Sequence, residues 1–187
     1  MPGLMPRRGF AILLLLPLVL VAEDVHPLVA GLTITTPAGW TAAQGEAGTL
    51  VLRAPTRAAP VGEDAAQAVL RALSLPTIAV AIDGDARTAD AKAVMDASLT
   101  KLARLVPDFA LIEPAVEVVL HGRRWQRARY HFATGEVVWD QILLAGADPS
   151  GGICITCSTT AEAADQWAEL FATALATVGR QASRLTP

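Results

Sequence analysis

Residues 115–145 read AVEVVLHGRRWQRARYHFATGEVVWDQILLA, and the order of strands and turns in this stretch decides the fold. Three runs rich in β-branched and aromatic side chains, 115–120, 124–132 and 136–145, are separated by His121-Gly122 and Thr134-Gly135. Both dipeptides suit two-residue hairpin loops, so the three runs form an antiparallel meander. With two-residue loops, Trp125, Arg127, Arg129 and His131 share a face with Val118, Leu120, Asp140 and Ile142, and Arg129 stands opposite Asp140. The other face carries Ala128, Tyr130 and Phe132 with Trp139 and Leu143. Neither face is cleanly polar, whereas a sheet with one wet face alternates strictly. Helices are therefore expected over both faces, as an αβα sandwich.

Working outward, Asp148-Pro149-Ser150-Gly151-Gly152 is a turn, 153–158 is a strand, and 159–178 reads as a helix. Thr159 and Glu162 fit a capping box, and Trp167, Phe171, Leu175 and Val178 fall on an apolar stripe. Upstream, 88–106 reads as a helix with Thr88 as N-cap. Its stripe is Ala91, Met95, Leu99, Leu102 and Val106, and Pro107 ends it. A short strand is expected at 109–113, another at 77–82 closed by Asp83-Gly84, and a short helix at 63–73 before Pro76. Strands at 31–36 and 49–53 flank a turn at Pro37-Ala38-Gly39-Trp40. Runs of strands with separate helices predict one α+β domain over 31–187, its sheet mostly antiparallel, after a linker at 23–30.

The chain has 187 residues, net charge -3, 52% hydrophobic and 18% charged residues, and two Cys, which argues against disorder and a disulfide scaffold. Residues 10–22, FAILLLLPLVLVA, follow Arg7 and Arg8 and are too short to span a bilayer comfortably. Residues 1–22 thus read as a signal peptide or N-terminal membrane anchor. The remaining 165 residues carry 13 basic and 18 acidic side chains, a balance of -5 that disfavours nucleic acid.

The element order, carried by ITTPAGW at 34–40, LVLRAP at 50–55, TIAVAID at 77–83, HGRRWQRARYHF at 121–132 and ICITCSTT at 153–160, resembles a known fold group. It is the group shared by PsbP of photosystem II, the Ran-binding Mog proteins and bacterial DcrB- and LpqN-type envelope proteins. The resemblance implies accessory and binding roles without a shared active site, so no catalytic residue is carried over. Export to the periplasm, the cell exterior or a membrane surface is the expected localisation.

Cys154 and Cys157 form a CxxC. On a strand, residues three apart point to opposite faces, so Cys157 joins Ile153 and Ile155 in the core while Cys154 points away. A thiol redox or metal-binding role for this pair stands as the alternative function. A cytosolic chaperone-like adaptor is a third reading, should the N-terminal run not be a signal. His26, His121 and His131 lie at no metal-ligand spacing, and no cofactor is expected. A calcium loop starting at Asp83 fails, because Thr88 and Val94 stand where Gly and Glu are needed. GxxxxGK, GxGxxG and GxSxG are absent from the sequence. The remaining candidate is the basic strand: Arg123, Trp125, Arg127, Arg129 and His131 suit an anionic lipid or polymer, or an acid patch on another envelope protein.

Overall fold

The computed structural model describes residues 24–28, 32–45, 49–56, 74–83, 90–149 and 151–179, with isolated positions between 62 and 71. The leader at 1–22, Gly84, Thr88 and most of the helix expected at 63–73 lie outside the described residues.

The strands are β1 (Val25–Pro27), β2 (Thr33–Thr35), β3 (Thr41–Gln44), β4 (Leu50–Arg53), β5 (Thr77–Asp83), β6 (Ala110–Leu120), β7 (Arg123–Thr134), β8 (Val137–Asp148) and β9 (Gly151–Thr160). The helices are α1 (Ala91–Leu105) and α2 (Ala164–Ala176), the latter preceded by a 3-10 turn over Ala161–Ala163. Seven strands form an antiparallel sheet in the order β3-β4-β5-β9-β8-β7-β6, and β1 pairs with β2 alone. The α+β class and the antiparallel sheet match the sequence reading. Strands β1 and β3 were not expected: β1 (VHP) ends on a proline, and β3 (TAAQ) has one β-branched residue and no alternation.

The meander forms as predicted at its first hairpin. Leu120 pairs with Arg123, and His121 and Gly122 take positive φ of 49° and 77°, a turn whose twist matches the flanking strands. The second hairpin turns one position later, at Gly135-Glu136, with Thr134 opposite Val137. His131, not Arg129, is therefore the direct partner of Asp140. The slip is two residues in pairing, so every side chain stays on its expected face. The strands expected at 109–113 and 115–120 are one strand, β6, continuous through Pro114 but with register shifts on either side of Glu113.

Both helix starts differ from the motif reading. Asp90 caps α1, its carboxylate accepting from the Ala93 N–H at 2.8 Å. Thr159 does not cap α2: it is buried within β9, and the chain passes through the 3-10 turn before α2 begins.

Two apolar clusters draw on alternate residues of the same strands. One joins Phe171, Ala174 and Leu175 of α2, with Val178 just beyond it, to Leu52, Ile78, Trp125, Leu144, Ile155 and Cys157. The other joins Val94 and Met95 of α1 to Ala128, Tyr130, Leu143 and Ala145. The turn at residues 37–40 explains its own composition. The Trp40 N–H bonds the Pro37 carbonyl at 3.0 Å, and Gly39 supplies the positive φ of 78°. Trp40 is thereby set edge-on to Trp167, 6.0 Å away, and to Phe171, 6.5 Å away. Strand β2 reaches α2 too: Thr177 Oγ1 accepts from the Thr35 N–H at 3.0 Å, and the Gly179 N–H bonds the Thr33 carbonyl at 3.2 Å.

Candidate functional site

The basic strand β7 places Arg127, Arg129 and His131 side by side on the face where α2 packs. Each meets an acid. Arg127 donates to Glu113 at 3.0 Å, and Arg129 donates to Asp140 at 2.8 Å and to Glu113 at 3.4 Å. His131 Nε2 lies 2.9 Å from the same Asp140 oxygen. The Asp140 side chain is only 5% exposed, so this carboxylate is held by its two partners instead of by water. The hydrogen bond to Asp140 holds the Arg129 guanidinium charged, above its ordinary range. Arg127, Arg129, Asp140 and Ile142 wall a cleft of about 170 Å³ against Asp165, Ala168 and Phe171 of α2, and His131 and Glu113 lie outside its lining.

Of the expected ligand contacts, the structure brings together Arg127, Arg129 and His131 only. Arg123 turns to the far end of the strand and bonds Asp148 at 3.1 Å. Trp125 is corrected outright: at 1% exposure it is a core side chain, packed so closely that a Cβ on Gly146 would lie 2.4 Å from its ring. Its indole is too large and apolar to leave that position for a ligand. Arg124, 79% exposed and 3.9 Å from Glu117, is the open cation of the run.

Glu113 was missed by the sequence reading. In unbroken register it would face the opposite side of the sheet. The shift between Glu113 and Val116 adds one residue to β6 and brings Glu113 opposite Arg129. Pro114, a residue that cannot donate to a ladder, was the available signal.

Cys154 and Cys157 sit as their parity predicts. Cys157 is fully buried among Ile153 and Ile155, while Cys154 approaches Ser98 of α1 at 3.3 Å. Both thiols are free. Burial raises both above the ordinary thiol range, opposite to the shift that activates a redox cysteine. Among the described residues, no group of three or more His, Cys, Asp or Glu is gathered to hold a metal ion.

Comparison with known proteins adds a fold but no family. No family model matches the sequence, and no curated protein matches it. Solved structures do. A Pseudomonas aeruginosa protein of unknown function, described as a putative regulator, superposes with TM-score 0.57 at 12% identity over 86% of this chain and 99% of its own. Cyanobacterial PsbP from Synechocystis gives 0.56 at 14% identity over 86% and 94%. LpqN of Mycobacterium tuberculosis, a protein involved in cell envelope biogenesis, gives 0.55 at 11% over 85% and 86%. The chain therefore has the PsbP-type fold anticipated from its motifs. At such identities, the likeness is one of fold alone.

Proposed function

We propose that this chain is a non-enzymatic accessory protein of the cell envelope, exported or tethered through residues 1–22, that binds another envelope protein along the outer edge of its sheet. One observation carries the binding mode. Strand β6 is one of the two edge strands, 11 residues long against four for β3, and holds Leu111, Ile112, Val116 and Val119 at 45, 47, 48 and 62% exposure. Beyond the register shifts and Pro114, the regularly paired run 116–120 is an edge with exposed Val116 and Val119, a template for a partner strand with main-chain hydrogen bonds for affinity and alternate side chains for selection. The fold likeness to LpqN and the leader-like sequence support the envelope as the compartment. The two apolar clusters support the αβα layering.

An anionic lipid or polymer is the weaker partner reading, because Arg127 and Arg129 are already engaged by Glu113 and Asp140. Thiol redox chemistry is disfavoured by burial and by the opposed faces of Cys154 and Cys157. The cytosolic adaptor reading is separated by location. In the native cell, a photo-crosslinker at Val119 is expected to capture a discrete partner, whereas one at exposed Ala43 on β3 captures none. With the crosslinker placed at Val116 instead, Val119→Lys should abolish capture at an unchanged unfolding midpoint, since position 119 is already open to water. Finding the chain with Met1 intact in the soluble cytosol, or equal capture from Val119 and Ala43, overturns the proposal.

A further inference from the structure

A second surface lies on the sheet face that α1 packs against. Thr77, Ser158, Gln141 and Tyr130 are consecutive cross-strand partners on β5, β9, β8 and β7, so they form one row across four strands. The row is wired: Tyr130 donates to the Gln141 side-chain carbonyl, and the Gln141 amide donates to Ser158 Oγ at 2.8 Å. That fixes the amide and leaves the Ser158 hydroxyl proton free to be aimed outward. In the next row, Phe132 pairs directly with Trp139, their rings 6.2 Å apart and within 15° of parallel. The two rows line a groove of about 380 Å³ bounded by Thr77, Phe132, Thr134, Trp139, Gln141 and Ser158.

We propose that this groove binds a neutral saccharide chain. The reading deepens the envelope role proposed above and rests on it only for where such a chain is met. A pyranose has an apolar C–H face and a rim of hydroxyls that both donate and accept. The paired rings offer the flat partner for the face, and the row of hydroxyls and a fixed amide offers the partner for the rim. The groove lining has no ionisable charge near neutral pH, which disfavours a nucleic-acid strand, whose phosphates call for cations. An acyl chain would bury Thr77, Gln141 and Ser158 against methylenes and strip them of water without replacement.

The test titrates the full chain with cellohexaose, maltohexaose and chitohexaose, following tryptophan fluorescence and binding heat. At least one hexaose should bind saturably. Trp139→Leu should weaken binding about tenfold, in line with a lost aromatic stack. Trp139→Phe should keep affinity within about threefold, since the flat ring remains. Ser158→Ala, which leaves the rings in place, should also weaken binding and guards against a folding defect in the Trp139 variant. The proposal is overturned if none of the three binds, if Trp139→Leu binds as the unaltered chain does, or if an oligogalacturonate or an extended peptide occupies the groove in preference. Location is a separate readout. Saccharide binding by a chain that stays in the cytosol defeats the envelope reading and keeps the groove. An envelope chain that binds no saccharide does the reverse.

Discussion

A single side chain shows how burial converts into a pH limit. Tyr130 is 1% exposed, lies between Phe109 and Phe132 with centroids 5.2 and 6.4 Å away, and donates to Gln141. Burial pushes its hydroxyl up to about 12. The folded protein thus keeps a proton that the unfolded chain, titrating near the ordinary value of about 10, gives up. The contribution to stability is whole below about pH 10 and is lost as pH rises toward 12, by on the order of 2 kcal/mol. Tyr130 is the one tyrosine in the chain, so phenolate absorbance reports it without overlap. Absorbance should rise only well above pH 10, and in step with unfolding. Tyr130→Phe should flatten the stability curve between pH 10 and 12. Phenolate appearing at its ordinary pH in the folded protein would contradict this burial.

At the scale of elements, strand parity explains both what the sequence showed and what it hid. The meander was legible because its turn dipeptide and its alternation agree, and a two-residue slip at Gly135 leaves parity intact. The bulge beside Pro114 was not legible, because an extra residue changes parity without changing composition, and it carried Glu113 into the site unannounced. The helix caps failed for a related reason. Thr159 fits a capping motif locally, but pairing with Asp140 keeps it in the sheet. The CxxC in β9 is the clearest case of parity deciding chemistry. Its two thiols bracket the sheet, one under α2 residues and one beside Ser98 of α1, so the strand must open before they can meet. In the folded protein, an aromatic disulfide reagent should therefore react slowly with Cys154 and not measurably with Cys157. It should titrate both thiols at once in denaturant. Rapid native reaction of both, or an intramolecular disulfide formed by mild oxidant without unfolding, would restore the redox reading.

For the whole molecule, the question is whether the two apolar clusters behave as one body. Met95 belongs to the α1 cluster and Phe171 to the α2 cluster, and they meet only through alternate residues of shared strands. Both clusters draw on β7 and β8, so the two should unfold in a single transition even though they pack separately. Met95→Val and Phe171→Leu should each cost about 1–2 kcal/mol from lost buried volume. Because Met95 and Phe171 share no apolar cluster, the double variant should add within about 0.5 kcal/mol. Trp40→Leu with Phe171→Leu is the contrasting pair: their rings touch edge-on at 6.5 Å, so their effects should depart from additivity by at least about 0.5 kcal/mol. Denaturant curves for the three single and two double variants measure both couplings. Two resolved transitions, or stronger coupling across the sheet than within the α2 cluster, would mean that the clusters are not layers of one cooperative unit. The layered reading would then fall, and with it the idea that β6 and the aromatic groove are held at fixed positions on one rigid scaffold.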